Sequence, residues 1–128
     1  MCTISDADGW NDHLVRQLTL HRKFPQVVRA AADTLMPALR ALPPGHQLVF
    51  GIRCNGGKQR SVGFARMLVN HLQDEYDIVV RAGWCNEERF CGCADCARPH
   101  GAFPAVFDAA MVEFGRFWPT TQGPLWRD

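Results

Sequence analysis

QLVFGIRCNGGKQRSVGFARMLVNHL, from Gln47 to Leu72, is the stretch on which the reading of the fold turns. Gln47 to Arg53 is a short apolar run of buried-strand type. CNGGKQRS, Cys54 to Ser61, is glycine-rich and polar, and beyond it Val62, Ala65, Leu68, Val69 and Leu72 fall at helical spacing. After an acidic turn, YDIVVR (Tyr76 to Arg81) supplies a second β-rich run. Strand, helix and strand over this span predict a βαβ unit, with parallel pairing and a right-handed crossover.

Outward from this unit the pattern is simpler. LVRQLTL, Leu14 to Leu20, puts Leu18 and Leu20 on one face of a short strand. Pro25 suits the first turn of a helix, along which Val28, Ala31, Leu35 and Leu39 keep helical spacing. Pro37 is expected to kink or end that helix near Met36, and Pro43-Pro44-Gly45 marks a turn. Cys85 to His100 has no periodicity and reads as an irregular excursion. PAVFDAAMVEFGRFW, Pro104 to Trp118, reads as a closing helix whose stripe of Phe107, Met111, Phe114 and Trp118 belongs to the core. The tail, with Pro119, Gly123 and Pro124, is expected to be extended. The expected architecture is α/β: one small domain over residues 1–128, with a mostly parallel sheet, a central βαβ unit and a cysteine-rich excursion at 84–100.

The 128 residues are 47% hydrophobic and 21% charged, enough for one core without disulfide staples. A formal net charge of +1 announces neither nucleic acid nor an acidic partner, so any electropositive site must be local. MCTISDADGWND has no basic region followed by an apolar run. Nor does any stretch reach the roughly 18 apolar residues of a membrane helix. A soluble, cytoplasmic protein with no membrane partner is expected.

CNGGKQRS has the parts of an anion receptor. It opens a helix, where backbone N–H groups lack intrahelical partners and the macrodipole adds positive potential. Gly56 and Gly57 permit the dihedrals that turn successive amides into a nest. Arg60 offers a bidentate guanidinium, Lys58 a second charge and Ser61 a hydroxyl, with Cys54, Asn55 and Gln59 completing the wall. It is not a nucleotide P-loop, because no Gly is followed by Lys-Ser at the required spacing.

Two families share this pattern. Cys54, Gly57, Arg60 and Ser61 match CxxGxxRS, so the loop resembles that of the cysteine-dependent protein tyrosine phosphatases. That resemblance implies a Cys54 thiolate attacking phosphorus while Arg60 clamps the phosphate. Arg53 stands where those enzymes carry a histidine. Trp118-Pro119-Thr120 resembles their acid loop, with Thr120 where an aspartate is required. The longer match, CNGGKQRSV on a strand-loop-helix, resembles the C-terminal domain of the RapZ (YvcJ) family, whose usual form is C-T-G-G-x-H-R-S-V. DHLVRQLTLHRKFP, Asp12 to Pro25, adds a weaker likeness, and Gln59 replaces the usual histidine. This second resemblance implies an α/β domain that binds anions, including glucosamine-6-phosphate, and takes part in RNA binding.

Four of the six cysteines lie between Cys85 and Cys96, with His100 just beyond. Cys85-x5-Cys91-x-Cys93-x2-Cys96 offers four thiolates to a tetrahedral zinc, with His100 as a substitute ligand. A disulfide pair or redox switch and idle thiols are the competing readings. The spacing matches neither ferredoxin pattern, and no HExxH accompanies it, so a structural zinc leads.

His13, His21, His46 and His71 read as surface or boundary residues. His21-Arg22-Lys23 follows the first predicted strand, and Arg53 and Arg66 are candidates to extend the positive patch, Arg66 otherwise being an exposed helix residue. Trp10, Trp84, Trp118 and Trp126 read as core and boundary rather than base-stacking platforms. These readings converge on a binding module for a small phosphorylated or anionic ligand, such as a sugar phosphate, held by Cys54 to Ser61 and braced by zinc. The alternatives are a cysteine phosphatase acting through Cys54 and Arg60, and an RNA-binding adaptor. The missing general acid favours binding over catalysis.

Overall fold

Asn11 starts the first helix. Its side-chain oxygen accepts the amides of His13 at 3.0 Å and Leu14 at 3.2 Å, satisfying two donors that the opening turn leaves over. Helix α1 then runs over Asp12–Thr19 and buries Leu14 and Val15, with Leu18 half-buried a turn later. Leu14 to Leu20 is therefore a helix and not the expected strand. The apolar residues repeat at a helical interval, and the asparagine cap supplies the start signal.

Described in a computed structural model are residues 8–54, 59–76, 78–84, 90–91, 93–96 and 101–119. Three longer helices follow: α2 (Phe24–Arg40), α3 (Arg60–Tyr76) and α4 (Pro104–Phe117), with a 3-10 turn at Ala94–Cys96 before α4. Pro25 and Pro104 sit in the first turns of α2 and α4, where a missing N–H costs nothing. Pro37 does not end α2, which continues to Arg40. Asp33, whose carbonyl loses its bond to Pro37, is exposed along with the proline, so water replaces the lost partner.

No strand occurs among the described residues, which overturns the expected α/β fold with its parallel sheet and βαβ unit. A strand needs a ladder partner for its amides and carbonyls. The two runs expected to pair, Gln47–Arg53 and the one that follows α3, form no strand in their described residues and pack against the helical core instead. Phe50 and Ile52 are half-buried against the core, as are Ile78 and Val80, while Val49 is 92% exposed and Val79 89%. One side of each run packs and the other meets water. The β-branched residues that suggested a sheet serve as caulking for a helical core.

That core is built from α2, α3 and α4, with α1 packed across α3 and α4. Val28, Ala31, Leu35 and Met36 of α2 meet Phe64, Met67, Leu68 and Leu72 of α3 and Ala110 and Phe114 of α4. The expected stripes of α2 and α4 are borne out, Phe107 and Met111 lying at the edge of the core. Phe114 is the centre of an aromatic cluster. Its ring lies 5.7 Å from Phe64, 5.2 Å from His71 and 5.8 Å from Trp118, on which it stacks. Trp118 donates its indole N–H to the Tyr76 hydroxyl at 2.7 Å, locking the end of α4 to the end of α3. His71 is buried here rather than at the surface, and burial holds its pKa below the ordinary imidazole value. Among the described residues no helix is long and apolar enough to cross a membrane.

Candidate metal centre and the Cys54 turn

A second, smaller core forms where the start of the described chain meets the cysteine segment. Trp10, Leu14, Val62 and Cys96 are buried together, with Trp84, Phe90, Cys91 and Cys93 packed against them. The Trp10 and Trp84 rings meet edge-on at 5.5 Å, and Trp84 meets Phe90 in the same way at 6.4 Å. Inside this apolar wall the sulfurs of Cys91, Cys93 and Cys96 all lie within 4.8 Å of one another. These three residues can hold a metal ion. The Ala94–Cys96 turn curls the chain so that the Cys96 amide donates to the Cys93 carbonyl at 3.1 Å, which brings both ends of the CxxC to one point. Cys85 and His100 lie outside the described residues.

The segment from Asp8 to Asp12 holds this cluster from beneath, and none of its roles was read from the sequence. Asp8 is fully buried. Its carboxylate accepts the Trp10 amide at 2.8 Å and, from 83 positions along the chain, the Cys91 amide at 2.8 Å. The Asn11 side-chain N–H donates to Cys96 Sγ at 3.8 Å, so one residue caps α1 and touches a candidate ligand. Burial pushes the Cys96 thiol up to about 11, helped by Cys93 and the Asp8 charge and opposed by the Asp8 amide and Asn11. Trp10 adds a buried indole N–H that has no hydrogen-bond partner among the described residues. The donors given to Cys96 are the Asn11 side chain and the Asp8 amide, and burial outweighs them.

Arg66 departs furthest from expectation. It is buried rather than an exposed helix residue, and it lies away from any positive surface patch. Its guanidinium donates to the Gly9 carbonyl and to Asp12, each at 3.0 Å, and lies over the rings of Trp10 at 4.8 Å and Phe107 at 4.4 Å. Burial lowers its pKa from the ordinary guanidinium value, and hydrogen bonding and attraction from Asp12 oppose that shift. Asp12 is fully buried and also accepts the Phe103 amide at 2.7 Å, just before α4. The one signal available in sequence for this group is DGWND, whose Asn-Asp pair at the head of a helical pattern marks a cap.

The Cys54 segment is seen at its two ends, with Asn55, Gly56, Gly57 and Lys58 outside the described residues. Cys54 Sγ lies 3.3 Å from the Ser61 hydroxyl and accepts the Ser61 amide at the same distance. The chain therefore turns back within seven residues and sets the sulfur at the opening of α3. Arg60, the first residue of α3, is exposed, whereas Ser61 is buried and Gln59 accepts the Gly63 amide at 2.9 Å. Arg53 is exposed on the approach to the turn. Of the supposed acid loop, Trp118 belongs to the aromatic core and Thr120 lies outside the described residues. His21, Arg22 and Lys23 form an exposed connection between α1 and α2, not the mouth of a sheet.

Comparison with known proteins finds no family model, no curated protein and no solved structure that matches the chain. Function has to be argued from the two sites themselves.

Proposed function

We propose that the chain is a binding module for a small phosphorylated or otherwise anionic ligand. The Cys54 to Ser61 segment is the receptor, and a zinc ion on Cys91, Cys93 and Cys96 is a structural brace. The observation that carries the first part is the Ser61 amide directed at Cys54 Sγ over 3.3 Å. An amide at the start of a helix is given to an electron-rich atom, at the place where the macrodipole favours negative charge. Arg60 stands exposed beside it to meet an oxyanion from solvent. The RapZ-like pattern of the loop points to the same ligand class, a sugar phosphate included. Zinc is favoured for the thiol cluster because it takes compact thiolate sites in a tetrahedral arrangement. Millimolar sulfate or phosphate is expected to raise the melting temperature of the wild-type protein, and Arg60→Ala to remove that rise. An unshifted melting curve in both would sink the receptor reading. Elemental analysis should read about one zinc per chain.

A second reading has one specific observation behind it. The Ser61 amide donates to Cys54 Sγ at 3.3 Å and the Ser61 hydroxyl lies at the same distance to take the thiol proton, an arrangement that suits a nucleophilic sulfur. As a phosphatase the thiolate would form an S–P bond while the ester O–P bond breaks, and the departing oxygen would take a proton. Water would then cleave S–P and release inorganic phosphate. The two buried carboxylates among the described residues are engaged elsewhere, Asp8 by backbone amides and Asp12 by Arg66 and Phe103. The expected result with an aryl phosphate is therefore no turnover above that of Cys54→Ser. Turnover abolished by that single change would make catalysis the better reading.

A further inference from the structure

We infer that the cation held by Cys91, Cys93 and Cys96 controls anion affinity at the Cys54 turn, and that the segment Asp8–Asp12 transmits this control. The inference rests on the receptor reading above and adds a regulator to it: a divalent, thiol-seeking cation. What carries it is a continuous line of contacts between the two sites. At one end Asp8 holds the Cys91 amide and Asn11 touches Cys96 Sγ, so any change in the geometry of the sulfurs acts directly on residues 8–11. At the other end Gly9 lies against the first turn of α3. A methyl group at Gly9 would run into Gly63 N and stand 2.5 Å from Val62 Cβ, so backbone meets backbone there. The Gly9 carbonyl also accepts from Arg66, a further turn along α3. Val62 itself is shared, being buried with Cys96 in the smaller core and adjacent to Ser61, whose amide and hydroxyl meet Cys54.

Three thiolates on one cation are held at the edges of one tetrahedron, roughly 3.8 Å apart for zinc–sulfur bonds of about 2.3 Å, whereas three neutral thiols keep no fixed spacing. Any motion to that spacing is passed to Asp8 and Asn11. Segment 8–12 has little room to absorb the motion, because Gly9 is already in contact with α3 and Asp12 is tied to Arg66 and Phe103. The cation therefore selects one placement of the first turn of α3, and with it one placement of the Ser61 amide and Arg60. Coupling of this kind is reciprocal: the anion must tighten the cation by the factor with which the cation tightens the anion.

The test uses the full chain, Zn2+ as the cation and inorganic sulfate as the anion, because sulfate does not precipitate zinc. Sulfate affinity is measured by calorimetry with zinc bound and after stripping by a chelator. Zinc affinity is measured by competition with a chromophoric chelator, with and without saturating sulfate. Stripping is expected to weaken sulfate at least about fivefold, with sulfate tightening zinc by the same factor. The variant Asn11→Ser keeps an oxygen cap on α1 and loses the donor to Cys96 Sγ. It should bind both ions while its coupling factor falls toward one. Sulfate affinity unchanged by stripping overturns the inference and leaves the receptor reading standing. Sulfate binding in neither state overturns the receptor reading and the inference with it, while the zinc titration still reports on the thiol site. Zinc affinity untouched by Cys96→Ser removes the regulator and overturns the inference. Loss of the helical circular-dichroism signal on stripping also overturns it, because the metal would then support the whole fold.

Discussion

Replacing Asp12 with alanine is expected to cost about 3–5 kcal/mol of folding stability, read as a lower urea midpoint with an unchanged slope. The carboxylate is fully buried and faces the equally secluded guanidinium of Arg66 at 3.0 Å. Removing it takes away the carboxylate paired with a positive charge that stays buried among Trp10, Phe107 and the Gly9 carbonyl. It also strips the Phe103 amide of its acceptor where α4 begins. Asp12→Asn keeps an acceptor for Phe103 and should fall between wild type and Asp12→Ala. The double change Asp12→Leu with Arg66→Met removes both charges together and is expected to regain most of the loss, because an apolar pair carries no desolvation penalty. A loss below about 1 kcal/mol for the single alanine would mean that the pair is solvated, as exposed ion pairs are.

The second large effect is expected at Phe114. Its side chain is fully buried, and truncation to alanine should cost about 3–5 kcal/mol from lost transfer energy and the cavity left behind. The cavity would open between α3 and α4, where Phe64, His71 and Trp118 all face the missing ring. Trp118 would lose its stacking partner, so its fluorescence should change along with the midpoint. Phe114→Leu fills part of the space and should lose clearly less. Equal losses for alanine and leucine would show that ring stacking, not volume, carries the site.

What was legible in the sequence was periodic or local. The helices α2, α3 and α4 followed from apolar residues at helical spacing and from prolines in first turns. The cysteine cluster followed from its spacing alone, and three of its four named thiols do converge. The sheet was misread for a physical reason: a run such as LVFGI has the composition of a buried strand, but composition does not say whether a neighbouring strand exists to pair with it. Likewise LVRQLTL fits a period of two through Leu18 and Leu20, yet Leu20 is exposed and Leu14, Val15 and Leu18 carry the true period. Asp8, Asn11, Asp12 and Arg66 were invisible as a group because their partners lie 54 to 91 positions away, beyond the reach of any local pattern. At the Cys54 turn residue types alone suggested a receptor, and the sequence did not show the Ser61 amide donating to Cys54 Sγ at 3.3 Å.

The same long separations set the order in which the molecule assembles. Segment 8–12 is completed by Cys91, Cys96 and Phe103, so these contacts close loops that take in most of the chain. Loop closure of that span is entropically costly and belongs late in folding. On the ribosome, Asp8, Asn11 and Asp12 emerge early and wait with their polar groups in water until residues 91–103 appear. Meanwhile α2 and α3 are already complete and able to pack. The cysteine cluster is thus a clasp fastened late, after α2 and α3 and alongside the α4 that follows it in the chain.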